Sequence, residues 1–397
     1  MKIGIFSDSY KPYTSGVVTS IVTFKEELSK LGHEIFVFAP SYPNFEEQED
    51  QVYRFYSLPA PTNPDFSLAV PVYPGINMLV KKLGLDIIHV HSPFTMGRVG
   101  SHYARKYKLP LVFTYHTLYD QYVHYVPLAH ELAREVAIKY SVNFCNHCNH
   151  VVVPSREVKD ILNTYEIKTS LSVIPTGVAV HKFQNGQKDW LQKNYHIPEG
   201  NKVLLFVGRL TREKNLEFLI QAFHALKATM PHTTLVLTAQ GPLEHDLKKL
   251  VLELGLSLQE DVIFTGALPF ETLVNVYTSA DLFVFSSLTE TQGLVLIEAM
   301  ASGIPVVAVA ANGVQDMVDH GVNGILTSCD IQEFAGAIRL ILEDKQMYSS
   351  FQANALKKAD MLSASNMALK MEELYESLYV NSAPRYNRML DITRWFG

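Results

Sequence analysis

What most constrains this chain is a pattern that runs through it twice. Short β-branched and aromatic runs, "KIGIFS", "EIFVFAP", "DIIHVH", "LPLVFTY" and "HVVVPS", alternate with helical patterns and end in polar or Gly/Pro punctuation. Runs that are apolar throughout are strands buried on both faces, and with helices between them they predict a parallel α/β sheet. The pattern restarts at "KVLLFVG" and continues through "TTLVLTAQG", "DVIFTG", "DLFVFSS", "IPVVAVA" and "NGILTS". A length of 397 residues is long for one core, so two such sheets in two lobes with a cleft between them are expected.

Residues 174–201 carry Gly, Pro and polar side chains with little strand character, which places the linker there and predicts domains of 1–183 and 184–369. From about Ser363 onward Met367, Met371, Leu374 and Leu378 recur at helical spacing. Residues 63–79, "NPDFSLAVPVYPGINML", read as an apolar, Pro-broken loop that either meets a greasy acceptor or covers the core.

Composition excludes several classes. A formal net charge of -6, with 47% hydrophobic and 19% charged residues, fits a soluble globular protein and argues against nucleic acid as a partner. Three cysteines, Cys145, Cys148 and Cys329, imply no disulfide framework and suit a reducing cytoplasm. No run approaches the roughly 18 apolar residues of a spanning helix, and the start is too polar for a signal peptide. Membrane contact is therefore expected to be peripheral, at the inner face. Cations on two helical patterns, Lys81 and Lys82, then Arg98, Arg105, Lys106 and Lys108 with His102, suit acidic headgroups or a plain solvated face.

The chemistry concentrates in "SSLTETQGLVLIEAMASGIPVVA", residues 286–308. It reads as strand, polar loop, helix, a C′ glycine at Gly303 and a blocking proline at Pro305. Its loop-to-helix turn exposes backbone N–H groups that suit an anion. Glu290 lies in the loop and Glu298 on the helix, placed to accept hydroxyl groups from one ligand spread along the helix start. A helix cap plus a salt-bridged glutamate is the plainer alternative.

"FVGRLTREKN", residues 206–215, puts Arg209, Arg212 and Lys214 at the carboxyl end of a strand. A guanidinium fork and a mobile ammonium suit a diphosphate, although a solvated basic loop fits too, and fits Arg212 best. At the N-terminus "FSDSYKPYTSGVVTSI" lacks a G-x-G-x-x-G fingerprint, and Gly16 suits either a close approach of phosphate oxygens to the backbone or an ordinary βα turn. His116 ends another strand beside Tyr115, Tyr119, Tyr122 and Tyr125, a setting for sugar faces and hydroxyls or for a structural histidine. The cluster "CNHCNH", residues 145–150, is spaced too tightly for four side chains to converge, and no metal site is predicted from it. His89 and His91 share one face of a strand, where burial explains them.

Together these motifs resemble the retaining, nucleotide-sugar-dependent glycosyltransferases of family 4, with the GT-B architecture of two Rossmann-like lobes. The E-x7-E pattern of "ETQGLVLIE" followed by "EAMASGIPVVA" carries the resemblance, which spans nearly the whole chain. It implies that Glu298 holds the ribose, Glu290 the transferred sugar, and the backbone of Gln292, Gly293 and Leu294 the sugar and phosphate. Arg209 and Lys214 would grip the diphosphate, Gly16 approach it from the N-terminal lobe, and His116 contact the sugar. It also implies a last helix, 370–397, crossing back onto the N-terminal lobe.

Within the family, "YHTLYDQYVHY" and "TETQGLVLIEAM" are most similar to bacterial diacylglycerol glucosyltransferases. The implied reaction moves glucose from UDP-glucose to a membrane glycerolipid, with a soluble or glycan acceptor as the alternative. Two departures bear on the nucleotide contacts: Gln240 in "TAQGPL" replaces an acid, and "TSGV" has one glycine where many relatives have two. No D-x-D occurs, so no metal and no cofactor are expected. A UDP-sugar 2-epimerase, a glycoside hydrolase using Glu290 and Glu298 at roughly 5 to 9.5 Å, and a noncatalytic sensor are the rival readings.

Overall fold

The structure is a computed structural model that describes residues 1–60, 63–118 and 130–382. Tyr119, Tyr122 and Tyr125, and the predicted helix beyond Ser382, lie outside the described residues. The chain divides into two compact units, one of Met1–Gly177 with the segment from Ala364 onward, the other of Val178–Ser363.

In the N-terminal unit, strands β1 (Lys2–Phe6), β2 (Glu34–Pro40), β3 (Val52–Phe55), β6 (Ile87–Val90), β7 (Leu111–Thr114), β8 (His150–Val153) and β9 (Leu171–Val173) form one parallel sheet. Its order is β3-β2-β1-β6-β7-β8-β9, with Ile3 opposite both Ile35 and Ile87. Strands β1, β2, β6, β7 and β8 are buried along nearly their whole length, which is why they read as continuous apolar runs, while β3 and β9 at the sheet's edges are only partly buried. Chain order reverses between β1 and β6, and in open sheets ligands bind beyond the strand carboxyl ends at that switch point.

Residues 63–79 differ from the predicted loop. Strands β4 (Ser57–Ala60) and β5 (Asn63–Ala69) pair as an antiparallel ribbon, and a helix follows at Ile76–Leu83. The prolines that read as breakers lie at the strand's start and in the turn after it, Pro64, Pro71 and Pro74, where no ladder donor is needed.

The last helix, Ala364–Ser382, belongs to this unit and buries Met367, Met371 and Tyr375 at spacings of four. It packs beside the helix Gly16–Lys30, and Glu372 meets His33 at 2.8 Å. "CNHCNH" ends the helix His130–Asn146, with Cys145 and Cys148 buried. Burial pushes the Cys145 thiol up to about 12. Among the described residues no three potential ligands gather for a metal, and no helix is long and apolar enough to cross a membrane.

In the C-terminal unit β10 (Lys202–Val207), β11 (Thr233–Thr238), β12 (Val262–Gly266), β13 (Leu282–Phe285), β14 (Val306–Val309) and β15 (Gly324–Thr327) form a second parallel sheet, ordered β12-β11-β10-β13-β14-β15. The helices Leu216–Lys227 and Ile331–Glu343 cover it, with Phe218 edge-on to Phe334 at 5.4 Å. Here the switch point falls between β10 and β13, the two strands that feed the motifs singled out by sequence.

Candidate functional site

The loops after β10 and β13 are laced together. Ser286 Oγ donates to the Lys214 carbonyl at 2.7 Å, Ser287 Oγ to the Glu213 carbonyl at 3.3 Å, and the Leu288 amide to the same carbonyl at 3.0 Å. Lys214 closes the 3₁₀ turn Arg212–Lys214, and Asn215 takes a left-handed conformation before the next helix. This lacing brings the Lys214 ammonium onto the Glu290 carboxylate as an ion pair. Their side chains are 19% and 14% exposed, so the pair is less screened than a surface bridge. The ammonium also lies 5.9 Å from the Phe285 ring centre.

Arg209 is exposed, and its guanidinium makes no hydrogen bond or ion pair among the described residues. Arg212 is likewise exposed, as the solvated reading expects. Arg209 is placed by its neighbour: Leu210 N donates to Gln240 O, and Leu243 N to Leu210 O, both at 3.1 Å. Gly241 makes room for this contact, since a Cβ there would lie 2.3 Å from the Leu210 carbonyl oxygen. The glycine of "TAQGPL" thus sets where the β10 loop runs.

Gly293, with φ +77°, caps the helix Leu294–Ala301, and Gln292 before it is buried. The first amides of this helix have no intrahelical partner and present partial positive charge beside Glu290. Glu298 stands one turn along, half-buried, and accepts a 2.7 Å hydrogen bond from the Tyr277 hydroxyl. Burial raises its carboxyl above the ordinary range, against the lowering effect of that bond.

Sequence reasoning missed two supports. Tyr277 reads as one more apolar residue of the helix Phe270–Thr278. Gly313, at φ +74°, presses on the Glu290 loop: a Cβ there would sit 2.6 to 2.9 Å from backbone atoms of Glu290, Thr291 and Gln292. A glycine in "ANGV", just past a strand of the same sheet edge, was the available signal.

At the other switch point, Gly16 opens the helix Gly16–Lys30, with Ser15 as its N-cap accepting from the Val18 amide at 3.3 Å. Gly16 is exposed, its φ is not left-handed, and a Cβ would meet nothing within 4 Å. The fold itself therefore does not require glycine there. The preceding loop is tied down by Glu49, whose carboxylate takes Lys11 and Lys25 at 2.5 Å each and the Tyr10 hydroxyl at 3.1 Å. Burial acts to raise the Glu49 carboxyl, but the bonds from the two lysines outweigh it and hold it down at about 2.

His116 follows β7, half-buried, with its Nε2 2.9 Å from His91 Nδ1. His91 and His89 are buried beside it, as the strand position predicted. Burial lowers all three rings, His116 to about 4 and His89 to about 3, so they are neutral near pH 7.

Residues 14–182 match the profile of Glycosyltransferase Family 4, and residues 187–358 that of Glycosyl transferases group 1. The chain is 35% identical to an alpha-monoglucosyldiacylglycerol synthase of Streptococcus pneumoniae over 94% of its own length and 85% of that protein's. It is 30% identical to a GDP-mannose-dependent alpha-mannosyltransferase of Corynebacterium glutamicum over 87% and 82%. Among solved structures, a sucrose-phosphate synthase from Thermosynechococcus elongatus superposes with a TM-score of 0.77 at 24% identity, covering 96% of this chain and 99% of that one. Two Rossmann-like units of this kind constitute the GT-B fold.

Proposed function

The chain belongs to glycosyltransferase family 4, and from that premise we propose that it moves glucose from UDP-glucose to the hydroxyl of a membrane glycerolipid such as diacylglycerol, with retention of anomeric configuration. The observation that carries the donor half is the Lys214–Glu290 pair beside a helix N-terminus, with Arg209, exposed and without an ion pair among the described residues, on the loop that carries Lys214. Breaking the bond between the anomeric carbon and the diphosphate builds negative charge on the phosphate and positive charge on the ring. Arg209, Lys214 and the amides at Gly293 and Leu294 stabilise the first, each preorganised group contributing about 3 kcal/mol. Once Lys214 turns to phosphate, Glu290 accepts the sugar hydroxyls, and Glu298 those of the ribose.

The acceptor oxygen forms the new bond on the face the diphosphate leaves, and its proton passes to the departing phosphate oxygen. In the same reading Gly16 is assigned a phosphate contact and His116 a sugar contact. The charge is supplied by side chains, so transfer is expected to persist in chelator.

The lipid half is favoured by the synthase relative and by the surface of the N-terminal unit. Tyr56, Leu58, Leu68, Val72, Met78 and Phe94 are exposed there. The helices Ile76–Leu83 and Thr95–Tyr107 add Lys81, Lys82, Arg98, Arg105 and Lys106 without one acidic residue. Cations of this kind add about 1 kcal/mol each at an anionic membrane. Peripheral attachment at the cytoplasmic leaflet follows from this reading.

A donor-by-acceptor screen tests it, with UDP-glucose and GDP-mannose against diacylglycerol vesicles and soluble sugars, reading released nucleoside diphosphate and product. Glucosyl-diacylglycerol from UDP-glucose is the expected product, with the α configuration by NMR. The mannosyltransferase relative makes GDP-mannose the second reading. Transfer only from GDP-mannose, or only to soluble acceptors, overturns the first. So does epimerisation of UDP-N-acetylglucosamine with no acceptor present.

A further inference from the structure

We infer that His91 is a positioning residue that fixes the tautomer of His116, keeping the His116 proton on Nδ1 so that this ring meets substrate as a hydrogen-bond donor and not as a base. The inference rests on the reading that His116 contacts substrate. His91, just after β6, is 2% exposed, and its Nδ1 lies 2.9 Å from Nε2 of the half-buried His116. The two rings are stacked, with centres 5.1 Å apart. Both are neutral near pH 7, so one of the two facing nitrogens carries a proton and the other a lone pair.

The far side of His91 decides which. Its Nε2 is buried and has no hydrogen-bonding partner among the described residues. A neutral His91 has one ring proton. Placed on Nε2, it would leave a buried N–H unpaired, a rare and costly state, and the facing nitrogen would have to accept from His116. Placed on Nδ1, it donates to His116 and leaves only a lone pair on the buried side. His116 then accepts at Nε2, and its own proton must sit on Nδ1.

His91 cannot readily turn away from this bond. The His89 ring lies against it, with centres 4.3 Å apart, and both His89 nitrogens are already engaged. Nδ1 faces the Tyr375 hydroxyl of the last helix at 2.6 Å, and Nε2 faces Thr114 Oγ1 at 2.7 Å. Thr114 ends β7 only two residues before His116. The support therefore runs from the last helix through His89 to His91, and from His91 to the ring at the strand's end.

The test is ring-nitrogen NMR on the full chain labelled with [15N]histidine, with His116 resonances assigned by their loss in His116→Gln. The wild type is expected to show a neutral His116 protonated on Nδ1. His91→Asn offers an amide N–H near the position of Nδ1 and is expected to keep that tautomer and most of kcat. His91→Leu removes the donor, and is expected to mix the His116 tautomers and lower kcat about tenfold or more, with donor KM within about threefold. A wild-type His116 protonated on Nε2 overturns the inference, as does a folded His91→Leu with the wild-type tautomer and kcat. The wild-type spectrum decides even if His91→Leu does not fold. It also decides if no acceptor is turned over, so failure of the transfer reading shows separately.

Discussion

At the switch point of the C-terminal unit, Lys214 and Glu290 meet as an ion pair across two loops laced by backbone and serine hydrogen bonds. At that of the N-terminal unit, His91 and His116 meet as neutral rings supported by another histidine and a tyrosine. The sheets share a topology, and the side chains at their carboxyl ends differ in kind. Charge gathered on one sheet suits a diphosphate whose own charge grows during reaction. Neutral donors and acceptors on the other suit hydroxyls, which need direction rather than charge. Both clusters lie at a switch point, and their side chains suit different ligand groups.

The largest effect expected from breaking this contrast is that of Lys214→Ala. It removes the ammonium that the proposed function assigns to the phosphate and takes the Lys214 partner from Glu290, and kcat/KM should fall about 10² to 10³-fold. Steady-state release of nucleoside diphosphate measures it, and wild-type kinetics would sink the electrostatic assignment of this unit. Gly313→Ala comes next. Its Cβ must displace the Glu290–Gln292 backbone, and misplacement of that kind costs about 10- to 100-fold in kcat/KM with the charges all retained. A stable variant with unaltered kinetics would mean the loop's position is set elsewhere.

Glu49→Gln sharpens the N-terminal side of the comparison. The Glu49 carboxyl is held at about 2, below its ordinary 4.5, so it stabilises the folded state fully above pH 4.5 and loses that contribution as pH falls toward 2. With partial exposure discounted, the substitution is expected to cost about 2 kcal/mol at pH 7 and little at pH 2. Melts of both proteins between pH 7 and pH 2 should therefore converge; a constant gap would show that charge is not the cause. The smallest expected effect is that of Gly16→Ala. The fold has room for the methyl group, so melting should not change, while donor KM rises about threefold if phosphate approaches that backbone. A rise in neither quantity would remove Gly16 from the donor contacts.

Much of the architecture was legible because burial on both faces leaves a local signature. The five apolar runs of the first half and the six of the second became strands, and the punctuation after "FVG" and "FSS" became the loops that carry Arg209, Lys214 and Glu290. Gly303 takes the left-handed C′ conformation read from "ASGIP". The ribbon of β4 and β5 was not legible, because an isolated antiparallel pair broken by prolines lacks the apolar continuity of the core strands. Tyr277 and Gly313 were missed for a different reason. Each acts on a partner more than twenty residues away, and nothing local in either segment announces that partner.

Local patterning set where the core strands and the helices between them form, that there are two parallel sheets, and which side chains are available at their ends, since periodicity and turn chemistry act over a few residues. The tertiary structure alone decided the pairings. Lys214 meets Glu290 across 76 residues, His91 meets His116 across 25, and His89 meets Tyr375 across 286. Those contacts depend on strand order and on where the last helix lands, which hydrophobic burial settles for the whole chain at once.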